Sequence, residues 1–159
     1  MAESFLIQAG YAFAWNAAED ALDAALDWVT IGAGITNVTP EENEQVDQKY
    51  YYNRGGNATT DVIGKQSVWS FEGDRDYNDA FQNLVFETMK NKLGAGRRGT
   101  FRVTYPNGAK EIGNATVANI SAPGGAANEK GAISFEIHTN EIPVFTAAPV
   151  PAAPAPAVP

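Results

Sequence analysis

The stretch Gly94-Ala-Gly-Arg-Arg-Gly99 is the closest the chain comes to a phosphate-cradling loop. Such a loop works when it opens a helix, so that free N–H groups and the helix dipole face the anion. Here it follows a helical pattern and runs into a strand pattern, so it reads as a helix end with two arginines available to carboxylates on another subunit. Asp74-Arg-Asp-Tyr-Asn-Asp79 spaces oxygen donors as a calcium loop does, but Asp79 and Val85 stand where an EF-hand requires Gly and Glu. It reads as a turn and helix cap. Glu111 and Glu136 lie on neighbouring strand patterns and form the best available carboxylate pair for glycoside hydrolysis, yet neither is marked as buried. The sole histidine, His138, falls on the polar parity of its strand, as a solvent or subunit-contact residue does. Trp15, Trp28 and Trp69 suit a sugar-stacking platform or a core, and core packing is the commoner fate. The chain has no cysteine, which removes thiol catalysis, disulfides and thiolate zinc sites. No acid, base and nucleophile converge in the pattern, so the expectation is a protein that is not an enzyme and needs no metal or cofactor.

Something must position these residues, and composition bounds what it is. The 159 residues are 44% hydrophobic, enough for one folded domain and too apolar for wholesale disorder. The formal charge is −8, which argues against DNA as a ligand, since such binding needs clustered Lys and Arg. The charge is unevenly placed. Residues 1–50 hold Glu3, Glu19, Asp20, Asp23, Asp27, Glu41, Glu42, Glu44 and Asp47 against Lys49 alone, whereas residues 90–102 hold Lys90, Lys92, Arg97, Arg98 and Arg102 with no acid. An acidic and a basic region on one chain suit head-to-tail self-association. No export signal or membrane span is visible in the sequence.

Strand patterns dominate. Phe101, Val103 and Tyr105 alternate with polar residues, and so do Ile133, Phe135 and Ile137. Tyr105-Pro-Asn-Gly108 predicts a hairpin into 110–121, and 122–128 reads as a loop. Further strands are expected within 11–15, 28–38, 44–52 and 65–72, with a loop over 54–60. Phe81, Leu84, Val85 and Thr88 form one helical stripe, predicting a helix over about 76–93 with Asp76 as N-cap, Asp79 in its first turn and Gly94 closing it. Residues 17–28 fit either a short acidic helix or an elaborated loop. Residues 1–142 form the expected folded unit, and the uncharged Pro/Ala run 143–159 an arm favouring polyproline II. The expected fold is mainly β: a two-sheet β-sandwich or barrel of about seven strands with one flanking helix.

Several ordered segments resemble the major tail tube proteins of long-tailed, siphovirus-type bacteriophages. They are Ile35-Thr-Asn-Val-Thr-Pro-Glu-Glu-Asn-Glu44, Tyr50-Tyr-Tyr-Asn-Arg-Gly-Gly56 and Asp61-Val-Ile-Gly-Lys-Gln66, followed by Ser70-Phe-Glu-Gly-Asp-Arg-Asp-Tyr-Asn78. Gly113-Asn-Ala-Thr-Val-Ala-Asn-Ile120, Gly124-Gly125 and Ile133-Ser-Phe-Glu-Ile-His-Thr-Asn140 with Pro143 continue the likeness over roughly residues 28–143. The resemblance implies a structural virion protein that self-assembles into hexameric rings stacked as a tail tube. Its lumen passes DNA without specific binding, and a long loop, here about 41–61, bridges rings. It implies a virion-tail location after assembly in the host cytoplasm, with tape measure, terminator and distal tail proteins as partners and no membrane. Six copies carry about −48, and a negative bore lets DNA slide. Two inter-subunit contacts are expected. Glu41, Glu42, Glu44 and Asp47 meet Lys90, Lys92, Arg97, Arg98 and Arg102 of a neighbour, with Arg54 in the same loop, and the edges of 100–105 or 132–140 join sheets between copies. The competing readings are a tail terminator or connector that forms single rings, and a carbohydrate-binding β-sandwich.

Overall fold

The computed structural model describes residues 5–150; of the polyproline II arm expected over 143–159, Val144–Thr146 pair as a strand with residues 110–112, and 151–159 lie outside the described residues. Ten strands form among the described residues: β1 (Ala12–Asn16), β2 (Val29–Ile31), β3 (Ile35–Glu41), β4 (Gln45–Tyr50), β5 (Ala58–Gly64), β6 (Val68–Asp74), β7 (Arg98–Thr104), β8 (Lys110–Gly124), β9 (Ala132–Thr139) and β10 (Val144–Thr146). The main antiparallel sheet runs β2-β1-β7-β8-β9-β6-β3, with β10 also on β8, and β4–β5 form a separate two-stranded ribbon. The expected seven-strand β body is this path. Its two layers belong to one curled sheet. Phe13 of β1 lies 5.5 Å from Trp69 and 5.2 Å from Phe71 of β6, ring to ring. Three strands separate β1 from β6 in the sheet, so such contact requires the sheet to fold over on itself. Phe13, Trp15, Trp69, Phe71, Phe101 and Phe135 fill the space between the halves. Trp15 and Trp69 are thus core residues, not a sugar platform.

The helix opens later than expected. Asp79, not Asp76, is the N-cap: its Oδ2 accepts from the N–H of Gln82 at 2.9 Å. Asp79-Ala-Phe-Gln82 carries the capping-box spacing, whereas Asp76 accepts from the N–H of Asn78 and holds a turn. The helix α1 (Ala80–Asn83) continues through a π turn (Leu84–Thr88) and a 3-10 turn (Met89–Asn91). The π turn carries one extra residue, and Phe86 joins Phe81, Val85 and Met89 in the core. A strict 3.6-residue stripe takes in Met89, eight residues after Phe81, but misses Phe86. Gly94 does not close this helix. It has φ +55 and starts a separate 3-10 turn leading to β7.

Other elements follow their local chemistry. Gly108 (φ +93) closes the β7–β8 hairpin, its N–H donating to Tyr105 O at 2.9 Å. Strand β8 runs on to Gly124, so the loop expected at 122–128 begins only after it, and β5 likewise begins at Ala58 inside the loop expected over 54–60. Strands β7 and β9 each have neighbours on both sides, which withdraws the edges of 100–105 and 132–140 as sites for joining sheets between copies. The exposed edges of the path are β2 and β3, and Pro40 within β3 suits an edge position. Residues 17–28 form a loop, with Asp20 and Asp27 at positive φ. Side chains from β1 and β7 take the backbone groups a helix would have used. Thr100 Oγ1 donates to Ala18 O at 2.8 Å and accepts from Ala21 N–H at 3.0 Å. Asn16 accepts from Ala18 N–H and donates to Leu26 O.

Candidate assembly surfaces

The β4–β5 ribbon stands apart from the core and keeps its apolar side chains in water. Val46 pairs with Val62 across the ribbon, and Tyr50 lies on the same face four residues further along β4, with Gln48 between. Val46, Val62, Ile63, Tyr50 and Tyr51 are exposed, and Tyr52 at the tip is wholly so. A lone two-stranded ribbon is marginal in water, and aromatic residues are enriched where proteins meet. Among the described residues, the hydrogen bonds that tie the ribbon to the body lie at its base. Gln66 N–H donates to Glu42 O at 3.2 Å, Ser67 Oγ donates to Glu42 Oε2 at 2.7 Å, and Gln66 Nε2 donates to Thr139 O at 3.2 Å. In the sequence this segment stands out by its acids, Glu41, Glu42, Glu44 and Asp47, rather than by its apolar face. The signal was present in the alternation of Val46, Gln48 and Tyr50 with Asp47 and Lys49.

The charged residues expected to bridge copies divide into two sets. Glu42 pairs with Lys65 at 2.7 Å and Asp47 with Lys49 at 3.0 Å within the chain. The hydrogen bond from Lys65, then that from Ser67, holds the Glu42 carboxyl below its ordinary range. Arg97 caps the helix end, donating to the carbonyls of Met89 (3.1 Å), Lys92 (2.8 Å) and Lys90 (3.2 Å). Arg102 binds Asp23 at 2.8 Å and lies 4.5 Å over the Trp28 ring. Among the described residues, Glu41, Glu44, Arg54, Lys90, Lys92 and Arg98 have no ion-pair partner. Glu111 and Glu136 sit far apart: Glu136 pairs with Ala118 on β8, seven residues or about 23 Å from Glu111. Glu136 instead meets His138 at 2.7 Å and accepts from Asn119. Asp74–Asp79 is occupied as a turn and cap around Arg75.

The acidic 17–28 loop is latched across the outer face of β7 and β8. Asp23 accepts from Lys110 at 2.9 Å and from Arg102, and Asp20 accepts from Asn114 Nδ2 at 2.6 Å. The Lys110 hydrogen bond chiefly, with that from Arg102, lowers the Asp23 carboxyl below its ordinary value of 3.8 against a smaller opposing effect of burial. A carboxyl lowered in the folded chain adds stability above its unfolded value and loses it as pH falls through the folded one. Asp23→Asn is therefore expected to be less stable than the parent at about pH 7, with the difference narrowing at about pH 2. Chemical denaturation at the two pH values measures this; a difference undiminished in acid shows that the ion pairs are not its source.

No protein-family model and no curated protein sequence matches the chain. Solved structures do match it. A chain from the tail of an empty gene transfer agent (GTA) particle, obtained by helical refinement with C6 symmetry, superposes with TM-score 0.65 at 15% identity, covering 90% of this chain and 100% of that one. A chain of the sheath–tube complex of an extracellular contractile injection system (PVC, extended state) gives 0.60 at 10% identity, covering 92% and 94%. One from the sheath/tube terminator of that system gives 0.61 at 9% identity, covering 92% and 100%. The likeness is one of fold, and it takes in nearly the whole chain.

Proposed function

We propose that the chain is a tail tube subunit, closing into rings of six that stack into a conduit for DNA in a virion tail. The observation that carries this reading is the β4–β5 ribbon, an exposed apolar and aromatic element projecting from a body whose fold is shared with chains of tail and tube assemblies. The sixfold ring draws on the C6 symmetry of one such assembly. The net charge of −8 per copy suits a bore through which DNA moves without adhering. In this reading the ribbon packs on a neighbouring ring, the tube forms in the bacterial host cytoplasm, and its ends meet the tape measure, terminator and distal tail proteins. The chemistry is assembly, with no catalytic step and no cofactor.

A terminator role is the second reading, favoured by the match to a sheath/tube terminator. Negative-stain electron microscopy of the purified chain separates the two. Long tubes of uniform width are the expected result. Single rings that never stack would move the assignment to the terminator, and dispersed monomers at high concentration would end both.

A further inference from the structure

The acidic loop and strand β10 bound a cleft of about 390 Å³ on the outer face of the sheet, lined by Leu22, Ile112, Val144, Asp20, Asp23 and Glu141. Leu22 is 76% and Val144 71% exposed, so apolar surface of the cleft stands in water. Asp23 is neutralised by Arg102 and Lys110. Asp20 and Glu141 are not: each accepts from Asn114, through its side-chain amide at 2.6 Å and its backbone N–H at 2.9 Å, and among the described residues neither has a cation in ion-pair range. The cleft is an apolar hollow with an acidic rim.

The same chain carries the complementary shape elsewhere. Leu93 is 88% exposed at the start of the turn after the helix, and Lys90 and Lys92 beside it have no ion-pair partner among the described residues. Because Leu93 stands in water here, it does not fill the cleft of its own chain. We propose that Leu93 of one copy seats in this cleft of a second copy, with Lys90 and Lys92 against Asp20 and Glu141. Knob and hollow are built from different residues, so the contact is heterologous and passes from copy to copy, closing a ring or running on as a helix. Opposite charge around an apolar centre fixes the register and rejects a like-charged approach. The proposal rests on the self-assembly reading and replaces the ribbon acids with the loop and Glu141 as the receivers of the basic segment.

The absence of native cysteine permits a direct test on the full chain. Leu22→Cys and Leu93→Cys are made separately at exposed positions, mixed, assembled and treated with a short bismaleimide. A cross-linked dimer at about tenfold the yield from Leu93→Cys alone is expected, because a seated contact raises the local thiol concentration. Tyr52→Cys replaces Leu22→Cys in a parallel arm and reads the ribbon as receiver. Tubes with the Leu22–Leu93 cross-link support the contact, and single rings with it support the contact while ending the tube reading. Tubes that cross-link only through Tyr52, or not at all, overturn the contact and leave the tube reading standing. A parent chain that does not assemble overturns both.

Discussion

Replacing the β4–β5 ribbon with a short Gly-Ser turn between Glu44 and Lys65 is expected to yield a folded monomer that forms no tubes. No residue of the ribbon belongs to the buried core, so its removal exposes nothing the core needs and should change stability by only about 1 kcal/mol. The closing contact at its base, Gln66 N–H to Glu42 O, lies outside the deleted part. Assembly is another matter. Each apolar side chain buried in full contributes roughly 1.5–3 kcal/mol, and Val46, Val62, Ile63 and the three tyrosines are exposed together. In a ring the same contact repeats with every copy, so its loss is cooperative. Val62→Asp places a charge opposite Val46 and should act in the same direction with the ribbon still present. Circular dichroism reports the fold and electron microscopy the tubes. Long tubes from the shortened chain would remove the ribbon from the assembly surface; an unfolded one would make it part of the fold instead.

The parts of this structure legible in the sequence are those that short-range chemistry decides. The β7–β8 hairpin follows from alternation on either side of Asn107-Gly108, and β9 from the alternation of Ile133, Phe135 and Ile137. What alternation does not specify is the neighbour. Strand β7 is interior because β1, some ninety residues earlier, pairs along it, and no local pattern in 98–104 announces that. The helix start was legible in Asp79-Ala-Phe-Gln82, but Asp76 offered a competing cap three residues earlier. The π turn was not legible, since a fixed 3.6-residue template has no place for an extra residue. The same division holds at the candidate surfaces. The acids and bases of 41–47 and 90–102 are plain in the sequence, yet whether they pair within the chain depends on distant segments. Lys65 reaches Glu42 because β3 and β6 bring their ends together, and Asp23 reaches Lys110 because the loop folds back over β8. Self-association read from charge alone therefore assigned some residues already engaged at home.

The second large effect is on the body that holds these surfaces in place, and it centres on Gln82. This side chain is 1% exposed and ties the helix to two other elements, which are themselves linked by Asp74 N–H donating to Gly34 O at 2.8 Å. Its Oε1 accepts from Asp76 N–H at 2.7 Å, and its Nε2 donates to Ala33 O at 2.7 Å and to Asp74 O at 3.2 Å. It thus fixes the β2–β3 corner and the end of β6 against the helix. The corner has no slack: a Cβ on Gly73 would meet the Gly34 carbonyl and one on Gly34 the Asp74 carbonyl. Gln82→Leu keeps the volume but leaves an amide and two carbonyls unsatisfied, each costing about 1–3 kcal/mol where water is excluded. The expected loss is about 3–5 kcal/mol, a fall in Tm of roughly 10–15 °C for a chain of this size. The neighbouring Arg75 makes a useful contrast, for its side chain is only 3% exposed and carries a charge. It donates to Asp76 O at 2.6 Å and Asn83 Oδ1 at 2.8 Å and lies 4.4 Å over the Tyr77 ring. Its carboxylate partner, Glu87 at 3.7 Å, is 66% exposed and returns to water when the arginine is removed. Arg75→Met keeps the stem and relieves a desolvated charge, so its cost should be smaller, about 1–2 kcal/mol. Thermal unfolding of the two variants measures the order. If Arg75→Met proves the more damaging, the corner is held by the cation rather than by the buried amide.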